Sequence, residues 1–220
     1  MKCKKRRGIT EIIATLLLLA ITTTGSVFLA YIVQGSGLGS VSNPLKSSIP
    51  TYALQLTGYD TRDGADLMDL GTLDNKQDNH LCTTSCGTDA DNIPTDANPG
   101  TEFISIHIKN VSPESVFLKN IQVNGITHQW DEQTGGKTFD ASANDVTGKY
   151  PLSGKYSILP GSGLVQKSDN KLSDDEDVLL IVKLSKDITS DISLSKPIQV
   201  SVNFGSTRAS EFVILSGDTK

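Results

Sequence analysis

The stretch KKRRGITEIIATLLLLAITTTGSVFLAYIV, Lys4 to Val33, sets a basic cluster directly against about 25 residues that carry one charge, Glu11. Fully helical at ~1.5 Å per residue, Ile9 to Val33 would measure roughly 37 Å, enough to cross a ~30 Å hydrocarbon layer with some tilt. The segment therefore predicts a membrane element at some stage of the protein's life. Lys/Arg clusters stay on the cytoplasmic side, which sends everything after Val33 to the outside. An ordinary secretory signal has an apolar core of roughly 7 to 15 residues and then a small-residue cut site, so this run is too long for one. A plain N-terminal anchor fits the length and the charge but leaves Glu11 unexplained, because a buried carboxylate without a partner costs several kcal/mol. A new α-amino group, made by cutting between Gly8 and Ile9, would be such a partner. The competing reading is a carboxylate that snorkels to water near the helix start, where the helix dipole favours it.

Arg7-Gly8, then Ile9-Thr10-Glu11-Ile12-Ile13-Ala14-Thr15-Leu16-Leu17 and the long apolar tail, resembles the class III signal peptide and N-terminal helix of archaeal type IV pilins. The resemblance covers the first 33 residues. It implies a cut after a glycine that follows a basic residue, so that Gly8 ends the leader, Ile9 becomes the mature N-terminus and Glu11 the third mature residue. It further implies that leader 1–8 is lost, while helix 9–33 is kept first as membrane anchor and then as filament core, with Glu11, Ile12, Ile13, Leu16 and Leu17 in assembly contacts. The implied partners are copies of the same chain, a prepilin peptidase, an assembly ATPase and a membrane platform. The implied function is a structural subunit of an extracellular filament used for surface adhesion or cell contact, and not an enzyme. Archaellins, the swimming-filament subunits, share this architecture but typically start with a Gly-Ile-Glu-Ala-Ala type run that Thr10-Glu11-Ile12-Ile13 does not match. In bacterial type IV pilins the acid is the fifth mature residue. The contrasting class is a solute-binding or S-layer-associated protein tethered by an uncleaved segment, which would retain Lys4 to Arg7 and carry a concave ligand site.

Removing the leader takes Lys2, Lys4, Lys5, Arg6 and Arg7 with it and leaves 15 basic against 25 acidic residues. An acidic exterior argues against nucleic acid, whose phosphates demand a basic surface, and suits a solvated outer surface. Cys3 leaves as well, so the exported part holds Cys82 and Cys86. Two thiols spaced C-x3-C outside the cell read as one disulfide closing a small loop; two thiolates are only half a zinc set, with His80 the one imidazole close in sequence. QGSGLGSVSNP, Gln34 to Pro44, lies in a flexible joint spanning 34–50. Within the apolar run, Thr22-Thr23-Thr24-Gly25-Ser26 offers either close helix approach or a bend at Gly25.

From Thr51 onward the period becomes alternating. In EFISIHIKN, Glu102 to Asn110, Ile104, Ile106 and Ile108 share one face while Ser105, His107 and Lys109 share the other. Further strands are expected in TYALQLTGYD, SVFLKNIQVNG with an Asn124-Gly125 turn, ITHQW, KYSILP, DVLLIVKL, KPIQVSVNF and EFVILSG. The expected fold is a long N-terminal α-helix followed by a mainly-β, immunoglobulin-like β-sandwich over 51–220. Arg62 to Gly100 is nearly free of alternation and reads as a long surface excursion stapled by the cysteines. His80, His107 and His128 are scattered, and His107 reads as an ordinary solvated histidine. Carboxylates gather at Asp60/Asp63/Asp66, Asp89/Asp91/Asp96 and Asp174/Asp175/Glu176/Asp177. None follows the twelve-residue calcium loop, so no metal residues are assigned, although hard oxygen ligands on an exported loop suit calcium. Asn110-Val111-Ser112 is a glycosylation acceptor triplet at a strand end.

Overall fold

The computed structural model describes residues 53–84, 100–143, 148–205 and 208–220, leaving aside the side chain of Arg208. All of them belong to one compact unit, Pro50–Lys220. Eleven strands follow in chain order: β1 Leu54–Asp60, β2 His80–Leu81, β3 Phe103–Asn110, β4 Val116–Val123, β5 Ile126–Trp130, β6 Lys155–Pro160, β7 Lys171–Leu172, β8 Asp177–Lys183, β9 Ile192–Ser193, β10 Pro197–Phe204 and β11 Arg208–Leu215.

Eight of them form a continuous path, β1-β3-β8-β6-β5-β4-β10-β11, with β7 paired to β4 off the path. The pairings are antiparallel except β5 with β6, which is parallel through Gln129↔Lys155 and Trp130↔Tyr156. The two ends of the path nearly meet. After β11 the chain turns and its last residues pair with β1: Tyr59 N–H donates to Lys220 O at 3.0 Å, Lys220 N–H returns to Tyr59 O at 2.9 Å, and Asp60 bridges Thr219. Gly58 makes this closure possible. It lies at a register shift of β1 against β3, and a Cβ there would stand 2.7 Å from the Lys220 carbonyl oxygen, closer than carbon tolerates.

Alternation decides the inside of this barrel. Ile104, Ile106 and Ile108 of β3 face Val178, Leu180 and Val182 of β8, Ile158 of β6, Ile121 and Val123 of β4, and Ile198, Val200 and Val202 of β10, all buried in one cluster. Removing that apolar area from water, at about 25 cal/mol per Å2, is the main driving force for the fold. The β4–β5 hairpin turns at Asn124-Gly125, both left-handed at φ 50° and φ 82°, as a two-residue turn matched to strand twist requires.

Part of the barrel's outer face is also covered. Phe103, Ile181 and Leu159 point away from the inner residues of their strands and pack with Leu67 and Leu73 from the connection after β1, and with Phe139, Ala141 and Tyr150 from the β5–β6 connection. Asn75 fastens the first connection beside β3: its Oδ1 accepts Phe103 N–H at 2.9 Å, and its Nδ2 donates to Phe103 O at 2.8 Å and Arg62 O at 3.0 Å.

The helix-plus-sandwich expectation is corrected by this architecture. Among the described residues the helices are two three-residue 3-10 turns, Leu67–Asp69 and Glu132–Thr134, and none is long and apolar enough to cross a membrane. Segment 9–33, where the long helix and transmembrane element are expected, and joint 34–50 lie outside the described residues. In place of the two stacked sheets of an immunoglobulin-like sandwich there is one curled sheet. The parallel β5–β6 pair joins what would be two sheets, and the C-terminal residues bridge part of the remaining gap at the end of β1. Alternation shows that each strand has an apolar face; it is silent on whether those faces meet across two sheets or around one.

Candidate functional site

The expected leader and assembly residues, Arg7, Gly8, Ile9, Glu11, Ile12, Ile13, Leu16 and Leu17, lie outside the described residues, as do Cys86 and the carboxylates Asp89, Asp91 and Asp96. Cys82 is buried and disulfide-bonded, to a partner outside the described residues.

Asn110 is inside the protein. Its residue is fully buried, and its Nδ2 donates to the carbonyls of Glu114 (2.9 Å), Leu172 (3.3 Å) and Ser173 (2.8 Å), while Oδ1 accepts from Ser112 N–H (3.1 Å) and Ser112 Oγ (2.8 Å). The folded domain offers no outward amide for a glycan. The acceptor triplet is corrected to a structural clamp that ties the end of β3 to the turn before β4 and to the chain after β7. The hydroxyl two residues on, which a glycosylation triplet requires, is the same hydroxyl that an Asx-type turn uses.

The acidic clusters of the sequence dissolve into separate roles. Asp60 is fully buried and takes Arg62, with its Oδ2 2.6 Å from the guanidinium, and also accepts Met68 N–H at 2.8 Å. Glu176 pairs with Lys167, Asp175 with Lys109, and Asp177 with His107, whose Nε2 lies 3.0 Å from Asp177 Oδ1. His107 is thus a half-exposed, carboxylate-paired histidine on the outer face, not a freely solvated one.

A different set of carboxylates converges. Oxygens of Asp63, Asp78 and Glu102 all lie within 4.8 Å of one another. They come from the connection after β1 and from the residue just before β3. Glu102 is fully buried; Oε1 accepts Lys76 N–H at 2.6 Å and Oε2 accepts Cys82 N–H at 2.8 Å. Burial pushes its carboxyl up to about 8, the two amides pull it down, and the neighbouring Asp63 and Asp78 charges push it further up. Burial likewise raises Asp63, whose Oδ1 is buried without a hydrogen-bond partner. Three hard oxygen donors at this spacing are the group among the described residues that could hold a divalent cation. Asp63 is the one member that the sequence clusters contain.

Lys183 is buried near the same end of the barrel. Its ammonium lies 4.4 Å from the Phe103 ring centroid and 5.5 Å from that of Tyr150, and its Nζ has no hydrogen-bond partner. Burial lowers its pKa to about 7, while the Glu102 charge acts in the opposite direction. The aromatic faces supply part of the attraction that water would otherwise give the cation. The signal for Lys183 is its place directly after the apolar run VLLIV, on the face that other strands leave polar.

His128 completes this end. It is fully buried, with Nδ1 3.0 Å from Ile126 O and Nε2 accepting Ser185 N–H at 3.1 Å. The described residues thus bring together buried polar groups, some hydrogen-bonded within the fold and some, such as Asp63 Oδ1 and Lys183 Nζ, without a hydrogen-bond partner, and they do not set a nucleophile, a base and oxyanion donors in one cleft. No protein-family model matches the chain, and a search of curated proteins finds no match.

Proposed function

We propose that this protein is a structural subunit of an archaeal type IV pilus-like extracellular filament, built by polymerisation through its N-terminal apolar segment and serving surface adhesion or cell contact. The observation that carries the reading is the succession of basic cluster, Gly8-Ile9, Glu11 and the long uncharged, mostly apolar run to Val33. The exterior domain is compatible with it on physical grounds. Its C-terminal residues pair with the end of β1 at Tyr59 to Thr61, which covers part of one sheet edge against extension by another chain. Asn75, Glu102 and Asn110 spend their buried polar groups on holding loops, as suits a building block rather than an enzyme. Prepilin peptidase would remove the leader, and an assembly ATPase on a membrane platform would drive polymerisation. The completed filament lies outside the cell.

The role of Glu11 gives the test. If its carboxylate meets the new α-amino group of Ile9 in a water-poor filament core, Glu11→Gln removes a charge-assisted contact and leaves the ammonium unpaired. Filament yield in sheared surface material is expected to fall at least about tenfold, which corresponds to roughly 1.4 kcal/mol per subunit contact, with precursor amounts in the cell unchanged. Undiminished filaments from Glu11→Gln would remove the pairing and leave a carboxylate that merely faces water.

A further inference from the structure

We propose that the two-stranded β2–β9 ribbon is an acid-released cap on one end of the barrel, keyed by protonation of His128. The inference is independent of the filament reading.

The cap lies where β3 and β6 begin and β8 ends. Its strands pair through His80↔Ser193 and Leu81↔Ile192, and Leu81, Ile188 and Ile192 join the main apolar cluster. Two kinds of attachment hold it. Within the cap, Thr83 Oγ1 donates to Ile188 O at 3.0 Å, and Asp191 Oδ1 accepts Thr83 N–H at 2.8 Å. Between cap and barrel, Glu102 accepts the amides of Lys76 and Cys82 on either side of β2, and His128 accepts the amide of Ser185 at the start of the chain leading to β9.

The His128 attachment depends on one tautomer. Because Nδ1 faces the Ile126 carbonyl, the neutral ring carries its hydrogen there and its lone pair on Nε2, which is what Ser185 N–H requires. An imidazolium has two N–H groups and no lone pair. Protonation therefore sets donor against donor at Ser185, in a site closed to bulk solvent. Burial holds His128 below its ordinary value; the carbonyls of Ile126 on β5 and Ile121 on β4, and the Asp187 carboxylate from the chain to β9, act the other way without prevailing.

A histidine depressed in the folded state contributes stability that is present above its unfolded pKa, near 6.5, and lost as pH falls through the folded value. The window lies below pH 6.5. Other ionisable groups lie at this end. Glu102, raised by burial to about 8, already holds its proton throughout this window and adds no change within it. His80 lies between two carboxylates, with Nδ1 3.1 Å from Asp78 Oδ1 and Nε2 3.4 Å from Asp191 Oδ2. Those pairings join parts of the cap and its flanking loop to one another, so they hold the cap together without holding it down. Release would bare Leu81, Ile188 and Ile192, an apolar surface that exists only in acid.

The test follows amide exchange in the full-length protein in detergent micelles from pH 8 to pH 4, corrected for intrinsic rates, beside NMR titration of the His128 ring. The expected result is that Ser185 and the β2 and β9 amides lose at least roughly tenfold in protection with the midpoint of the His128 ring, while β3 and β8 stay protected. His128→Gln keeps an acceptor that does not take a proton, and is expected to hold protection to lower pH. A His128 titration that leaves Ser185 protected, or a His128→Gln protein that follows the wild-type profile, would overturn the proposal. If His128→Gln does not fold, the correlation of ring and amide in the wild-type protein decides alone.

Discussion

Truncating Glu102 to alanine is expected to destabilise the β-domain by about 3–5 kcal/mol, the largest loss foreseen for any single side chain here. Two buried amides, those of Lys76 and Cys82, lose their acceptor at once, and each orphaned donor costs about 1–3 kcal/mol. The buried Lys183 also loses the charge that partly offsets its own burial. Chemical denaturation is the measurement: the midpoint should fall sharply while the slope with denaturant stays constant. Glu102→Gln separates hydrogen bonding from charge. Glu102 is raised in the folded state to about 8, so its contribution is fully present below about 4.5 and lost as pH rises through 8. Glutamine cannot titrate, and the variant should lose that decline with rising pH while keeping most of the stability. Lys183, lowered to about 7, acts oppositely, with stability lost as pH falls through 7, so the two wild-type trends partly cancel around neutrality. A Glu102→Ala midpoint within experimental error of wild type would show that the loop does not hang on this carboxylate.

Replacing Asn110 should cost nearly as much, about 3 kcal/mol for alanine, because three carbonyls and the Ser112 amide and hydroxyl lose partners in a site without solvent. Asn110→Asp is the sharper experiment. The carboxylate can still accept from Ser112, but its other oxygen then faces the carbonyls of Glu114, Leu172 and Ser173, an acceptor among acceptors. Aspartate is therefore expected to melt at least as low as alanine at neutral pH. A side chain whose task was to carry an outward glycan would tolerate either change, so an unshifted melting temperature for Asn110→Asp would contradict the clamp.

The strands themselves were largely written in the pattern. KYSILP is β6 from first residue to last, Asn124-Gly125 turns the β4–β5 hairpin, and Ile104, Ile106 and Ile108 face the core as their spacing demands. Three two-residue strands, β2, β7 and β9, carry no period long enough to read. The curl of the sheet was not legible either, because it depends on tertiary pairings such as Tyr59 with Lys220, which sequence spacing does not encode. The polar faces misled in one respect. Ser105 and Ser157 lie where alternation predicts solvent, yet both are buried, because the connections after β1 and β5 fold over that face with Leu67, Leu73, Phe139 and Tyr150. Arg62 to Gly100 reads as a surface excursion for want of alternation, whereas its described residues supply three fully buried leucines, Leu67, Leu73 and Leu81, and the Asn75 clasp. The site was less legible than the fold. Asp63, Asp78 and Glu102 are far apart in sequence and meet only because the loop returns to the start of β3, and the histidine that matters, His128, looked no different from its two counterparts.

The central claim concerns how the chain begins, and intact-mass and N-terminal peptide analysis of native protein from sheared cell-surface material tests it most directly, with the same fraction viewed by electron microscopy. The account predicts a chain starting at Ile9, recovered in fractions rich in thin filaments. A chain that retains Lys4 to Arg7, in fractions without filaments, would contradict it and leave an exterior β-barrel tethered by its own leader.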